Sequence, residues 1–237
     1  MIIIYDFDGT LTPYPLPRYP VLEHCGYTDE TLMKRIEGEI SKGAGLYEAY
    51  YKCYKEILSE NNISLSRSNI CLGAENTQFN NGVIEYFKKY ESSKTGIKHY
   101  IVTSGAKDYV DETIISELVD GVYGTTFYQK DGIIQNINFL LSDKKKVDVI
   151  EEIQQKNNWD NQIVYFGDGL TDRFAFEYVH SIGGINVFVI ANEHAKVKYE
   201  QMKASLVIDK CFNADFGEQS QISEFVQGLI TWRDIVI

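Results

Sequence analysis

The chain predicts an α/β fold in which helices cover a parallel sheet and a small helical insertion interrupts the sheet early. Three observations carry this reading. Short, unbroken runs rich in β-branched residues recur, amphipathic helical patterns separate most of them, and the stretch from Thr10 to about Asn81 breaks the alternation. An unbroken apolar run marks a strand buried on both faces, which is the condition of a parallel sheet.

In chain order, Ile2-Ile3-Ile4-Tyr5 is the first such strand and ends at Asp6. The pattern returns at Tyr100-Ile101-Val102, Ile163-Val164-Tyr165-Phe166, Val187-Phe188-Val189-Ile190 and Leu206-Val207-Ile208. Between them, a helix over Lys107 to Val119 aligns Val110, Ile114, Ile115 and Leu118. A second, over Lys146 to Lys156, aligns Val147, Ile150 and Ile153, and a third covers Asp172 to His180. All four prolines fall between Pro13 and Pro20, which predicts a stiff, extended connector. Beyond it, Thr28 caps a helix with the stripe Leu32, Met33, Ile36 and Ile40 and a stop at Gly43. Further helices run from about Leu46 to Glu60 and from about Ser66. Between Val122 and Leu141, the Asp131-Gly132 pair signals a β-hairpin. The segment Gln221 to Ile237 reads as a helix over the sheet.

Composition narrows the partners. The 237 residues carry a net charge of −11, a field that repels nucleic acid and anionic lipid. No apolar run approaches the roughly 18 residues of a membrane span. The opening run lacks a basic region and ends at an acid, so it reads as a strand and not as a signal peptide. Four scattered cysteines, Cys25, Cys53, Cys71 and Cys211, fit reduced thiols and a cytoplasmic protein better than a zinc site.

Ligands of parallel sheets bind at the carboxyl ends of strands, so the polar residues there carry extra weight. The first strand runs into Asp6-Phe7-Asp8-Gly9-Thr10-Leu11-Thr12, and the third into Gly167-Asp168-Gly169-Leu170-Thr171-Asp172. Each set has an ordinary reading as a turn or, for Asp172, a helix cap. Together they bring four carboxylates to one sheet edge. Two unit charges about 4 Å apart repel by about 4 kcal/mol at an effective dielectric near 20, so protons or a cation must relieve them. Oxygen ligands without nearby histidine suit Mg²⁺. Thr103, Ser104 and Gly105, after the second strand, read either as helix caps or as an anion site made of amides and a hydroxyl. Lys144, Lys145 and Lys146 read as a solvated run, one member of which can face the acids.

In this order, Asp6-Phe7-Asp8-Gly9-Thr10, Thr103, a lysine and Gly167-Asp168-Gly169-Leu170-Thr171-Asp172 resemble the four motifs of the haloacid dehalogenase superfamily. The resemblance covers residues 1 to about 12 and 82 to 210. It implies a Rossmann-like core of residues 1–12 and 82–237, with residues 13–81 as an inserted helical cap of the phosphoserine-phosphatase type. The second acid, Asp8, points to the phosphatase and phosphotransferase members. The resemblance implies a nucleophilic Asp6 that forms an aspartyl-phosphate, with Asp8 as general acid and then base. It also implies Mg²⁺ held by Asp6, the Asp8 carbonyl and Asp168, with Asp172 acting through water or as an orienting partner. Thr103, with Ser104 and Gly105 beside it, and Lys146 in preference to Lys144 or Lys145, would hold the phosphoryl oxygens. The substrate expected is a small phosphorylated metabolite. Phosphotransfer to another acceptor is the alternative, while a receiver-type switch or a non-catalytic phosphate binder fits the motif order less well. Tyr47, Tyr50, Tyr51 and Tyr54 share one helix face and read as core in preference to a cage for a quaternary ammonium. Arg18, Glu23, His24 and Lys52 are further residues that could face a substrate from the cap.

Overall fold

The computed structural model describes residues 1–14, 17, 19–158 and 162–236. Strand β1 (Ile2–Tyr5) is followed by four helices, α1 (Val21–His24), α2 (Asp29–Ile40), α3 (Leu46–Glu60) and α4 (Arg67–Ile70). Then come α5 (Val83–Lys89), α6 (Ser92–Thr95), β2 (Lys98–Ala106), α7 (Lys107–Asp111), β3 (Gly121–Lys130) and β4 (Ile133–Phe139). The chain closes with α8 (Lys145–Lys156), β5 (Ile163–Gly167), α9 (Arg173–Ser181), β6 (Ile185–Ile190), α10 (Glu193–Met202), β7 (Lys210–Asn213) and α11 (Gln221–Val236).

The strands form one sheet in the order β4-β3-β2-β1-β5-β6-β7. Every neighbouring pair is parallel except the hairpin β3–β4. Alternation along each strand divides its side chains between two cores. Ile3 and Tyr5 of β1 join Val164 and Phe166 of β5 under α5 and α11, through Tyr86, Phe87, Ile222 and Val226. Ile2 and Ile4 join Ile163 and Tyr165 on the opposite face, under Ile150 and Ile153 of α8 and Phe176 and Val179 of α9. β1 therefore lies at the centre, and the chain leaves it in both directions across the sheet. That topology opens a crevice at the carboxyl ends of β1, β2 and β5.

Local chemistry explains the elements that match the sequence reading. Thr28 and Thr31 form a reciprocal capping box at α2, and Ser66 accepts the Asn69 amide at α4. Asp131 and Gly132 both adopt positive φ, 52° and 77°, as a tight two-residue hairpin turn requires. The four cysteines are free. Among the described residues no helix is long and apolar enough to cross a membrane.

Three expectations need correction. The segment expected as one helix from Lys107 to Val119 is the five-residue α7 followed by a 3₁₀ turn, Ile114–Leu118. The Thr113 hydroxyl donates to the Val110 carbonyl (2.7 Å), a local bond that competes with helix continuation, and Ile114 is left half-exposed. The last strand is Lys210–Asn213, not Leu206 to Ile208. It lies at the sheet edge, where a strand needs no unbroken apolar run, so hydrophobicity singles out the neighbouring segment. Thr103, Ser104 and Gly105 lie inside β2 and not at a helix start, because β3 pairs alongside and prolongs the strand across an irregularity. The expected hairpin is present as β3 and β4, and it extends the sheet at its edge through the pairing of β3 with β2. The proline connector falls partly on Pro15, Leu16 and Arg18, which are outside the described residues, as is the expected end of the last helix at Ile237.

Candidate active site

The crevice collects the expected acids. β1 delivers Asp6, whose amide continues the ladder by donating to the Phe166 carbonyl (2.8 Å), and the chain then turns through Asp8 and Gly9. Gly9 has φ +81°, and a Cβ there would collide with the Asp168 carboxylate, so both conformation and space demand glycine. β5 delivers Asp168, and the 3₁₀ turn after it delivers Asp172. One oxygen from each of Asp6, Asp168 and Asp172 lies within 4.8 Å of the other two.

Of the three adjacent lysines, only Lys146 enters the site. Lys144 and Lys145 are exposed, whereas Lys146, on the first turn of α8, is fully buried. Its Nζ donates to Asp172 Oδ1 (2.7 Å) and Asp6 Oδ1 (3.0 Å), with a longer contact to the Tyr165 hydroxyl (3.4 Å). Asp172 is positioned as the first residue before α9, but its side chain does not cap that helix. Instead its Oδ2 accepts the amides of Asp168 (3.1 Å) and Gly169 (3.3 Å), while Oδ1 accepts Lys146 and Tyr165 (2.6 Å). Four donors thus hold Asp172 in place, which suits an orienting partner.

On the β2 side, the Thr103 hydroxyl donates to Asp8 Oδ2 (3.3 Å) and accepts the Gly105 amide (2.9 Å). The Ser104 hydroxyl is buried without a hydrogen-bond partner, as is that of Thr10. The Ser104 carbonyl accepts Thr125 (2.7 Å) and Tyr51 (3.3 Å), and the Ala106 amide donates to the Tyr19 hydroxyl (3.0 Å). Tyrosines from the helical insertion therefore lie directly against the strand end that carries Thr103.

The electrostatics follow from four carboxylates sharing one buried cation. Burial, with the charge of Asp172 added, pushes Asp6 up to about 7 against the opposing pull of Lys146. Burial and the charge of Asp6 raise Asp8 well above the carboxylate range. Asp168 is raised likewise by burial and then by Asp172 and Asp6. Burial works against the charge of Lys146, but Asp172 and Asp6 outweigh it and keep the ammonium protonated. Like charges this close cannot all ionise without a compensating cation. Hard oxygen donors, with no histidine or cysteine in the cluster, fit Mg²⁺.

One contributor escaped the sequence reading, and a second was read there as core alone. Tyr165 reads as one more apolar residue in a buried strand, and nothing in its spacing marks it. Tyr47 belongs to the tyrosine stripe, all four members of which are buried as core. Its hydroxyl also lies near enough to the acids for burial and then the charges of Asp6 and Asp8 to raise it. Of the residues expected to face a substrate, Glu23 lines a cavity of about 280 Å³ beside Asp8, with Phe7, Asn76, Gln78 and Tyr109. Exposed His24 contacts the Pro20 carbonyl, Lys52 is paired with Glu39, and Arg18 is outside the described residues.

A parallel-sheet crevice centred on carboxylates, with one buried lysine and a threonine, is the kind of site an α/β enzyme carries at its strand ends. The chain belongs to the haloacid dehalogenase-like hydrolase family, whose sequence pattern matches residues 3–177. No curated protein matches it significantly by sequence. Among solved structures, a substrate-bound phosphoserine phosphatase is similar at 19% identity and a TM-score of 0.66, over 96% of this chain and 97% of that one. A phospho-aspartyl intermediate analogue of phosphoserine phosphatase is similar at 20% identity and a TM-score of 0.64, over 96% and 97%. A HAD family hydrolase from Salmonella enterica subsp. enterica serovar Typhi gives 13% and 0.67, over 90% of this chain and 68% of that one. These likenesses establish the shared fold.

Proposed function

We propose that the chain hydrolyses a small phosphomonoester in the presence of Mg²⁺, through an aspartyl-phosphate on Asp6. The observation that carries this reading is the buried Lys146, which bridges Asp6 and Asp172 beside Asp168 while Asp8 stands two residues further on. A carboxylate is a weak nucleophile that must be oriented and kept ionised, and Lys146 serves both needs through its bond to Asp6 Oδ1. Asp6 attacks phosphorus as the bond to the alcohol oxygen breaks, and Asp8 gives its proton to that oxygen. The raised affinity of Asp8 for a proton suits this role. Asp8 then takes a proton from water, whose oxygen attacks phosphorus, and the Asp6–phosphorus bond breaks to release inorganic phosphate. In this reading Thr103 and Lys146 would hold phosphoryl oxygens, with Ser104 and Gly105 beside them.

Asp6, Asp168 and the Asp8 carbonyl are the groups that would hold Mg²⁺, with Asp172 orienting the set. When bound, the ion supplies the positive charge that lets an anionic ester approach an anionic carboxylate. Residues 13–81 act in this reading as a cap on a core of residues 1–12 and 82–237. The cavity of about 280 Å³ beside Asp8 offers room for the alcohol of a small ester.

The test is a screen of small phosphomonoesters with Mg²⁺, run beside p-nitrophenyl phosphate as a generic substrate. Asp6→Asn is expected to lose about 10³-fold or more of the activity, and a chelator to abolish it reversibly. Full activity of Asp6→Asn, or full activity in excess chelator, overturns the scheme.

A further inference from the structure

We infer that Tyr165 is a positioning residue of this site, whose hydroxyl sets the carboxylate of Asp172 and, through it, Lys146 and the metal-holding acids. The inference deepens the hydrolase reading above and rests on it for its kinetic consequence alone. Tyr165 stands in the middle of β5, paired in register with Ile4 of β1, and is fully buried under α8 and α9. Its ring packs edge-on against Phe176, with centroids 5.5 Å apart. Phenylalanine would fill that space equally well, and it would spare the fold a buried hydroxyl, which is costly unless bonded. Here the hydroxyl has a partner, since it donates to Asp172 Oδ1 at 2.6 Å.

That bond completes a closed arrangement. An ammonium has three protons, and those of Lys146 go to Asp172 Oδ1, Asp6 Oδ1 and, at the longest distance, the Tyr165 oxygen. Asp172 spends Oδ2 on two backbone amides and Oδ1 on Lys146 and Tyr165. Without the phenol, Oδ1 would have Lys146 as its only donor. The carboxylate would then keep three of its four donors, with Oδ1 drawn toward the lysine alone, and the ammonium would lose its third acceptor. The 3.4 Å contact is also the weakest of the three, so it is the one a phosphoryl oxygen would replace at least cost. Tyr165 thus keeps Lys146 aimed between the acids until the substrate arrives.

The experiment is Tyr165→Phe, which removes one oxygen and keeps the packing. Tyr178→Phe serves as control, because that hydroxyl donates to Gln154 in the same core, away from the acids. Mg²⁺ binding to the full chain is measured by calorimetry, alongside kcat and KM for p-nitrophenyl phosphate. Partners that orient metal ligands typically contribute 10–100-fold to metal affinity or activity. Tyr165→Phe is expected to weaken Mg²⁺ binding or lower kcat by about 10-fold, with KM for the ester within about twofold and both quantities unchanged in Tyr178→Phe. Wild-type Mg²⁺ affinity together with wild-type kcat in Tyr165→Phe overturns the inference, even if the variant melts at a lower temperature. If the wild-type chain hydrolyses no ester, the hydrolase reading fails, and the calorimetric arm alone decides the role of Tyr165.

Discussion

The central strand of this protein feeds two buried polar clusters of opposite character. On one face of the sheet, Tyr5 meets Tyr86 (2.8 Å) and His99 Nδ1 (3.1 Å). His99 Nε2 can only donate to the Tyr90 carbonyl (2.8 Å), so Nδ1 accepts from Tyr5, which in turn accepts from Tyr86. Every polar atom of this cluster is satisfied, and every group is neutral. At the carboxyl end of the same strand, one residue later, Asp6 joins three other carboxylates around a single lysine. Burial treats the two alike, since it drives His99 down to about 4 and Asp6 up to about 7, in each case toward the uncharged form. The neutral network has nothing left to bind. The acidic one is short of positive charge, and that deficit is what a metal ion and a phosphoryl group can use. The difference separates a buried polar cluster that serves stability from one kept for chemistry.

Four measurements sharpen or break this contrast. The largest effect is expected at Asp6→Asn, with turnover down about 10³-fold or more and no loss of stability. A carboxyl whose pKa rises on folding binds more protons folded than unfolded, so metal-free stability falls as pH climbs from about 4 to about 7. The amide removes that cost. A variant that is inactive and also badly destabilised by denaturant titration would place Asp6 with the structural cluster. Lys146→Met comes second. It strands two buried carboxylates, and losing one partner of such a pair costs about 3–5 kcal/mol, readable as a lower urea midpoint. An unchanged midpoint would mean the acids are already protonated.

Third is the pH response of the neutral network. His99 binds its proton near 6.5 when unfolded and only near 4 when folded, so the unfolded chain takes up more protons as pH falls through that window. Stability conferred by neutral His99 is therefore complete above about pH 6.5 and lost toward pH 4. The wild type should lose about 2 kcal/mol between pH 7 and pH 5 beyond what His99→Gln loses, measured by urea unfolding in Mg²⁺. Equal losses would show that His99 accepts its proton without unfolding. The smallest effect is Tyr5→Phe, expected to cost about 1–2 kcal/mol through the unpaired His99 nitrogen while kcat stays within about twofold. A large fall in kcat would join the two clusters into one functional unit.

Much of this organisation is legible in the residues themselves. Ile2–Tyr5 and Ile163–Phe166 announce buried strands because both faces of a central strand exclude water. The helices from Leu46 to Glu60 and from Lys145 to Lys156 follow from apolar spacing. The edge strand Lys210–Asn213 stays hidden because one flank faces solvent and its pattern is mixed. The break at Thr113 stays hidden because one side-chain bond outweighs a favourable helical stripe. The acids were readable as a set, since two buried strands that each end in a pair of aspartates bring four like charges to one sheet edge.

The sequence by itself determined the parallel α/β architecture, the helical insertion and the identity of the carboxylates, because each is written in local periodicity or in adjacent residues. The resemblance favoured Lys146 among three consecutive lysines, but only the tertiary structure showed it turned inward, Tyr165 donating to Asp172, and the insertion's tyrosines against the strand end that carries Thr103. Those outcomes depend on where helices settle against the sheet. Side chains far apart in sequence meet there in a space from which water is excluded, and no pattern along the chain records the meeting.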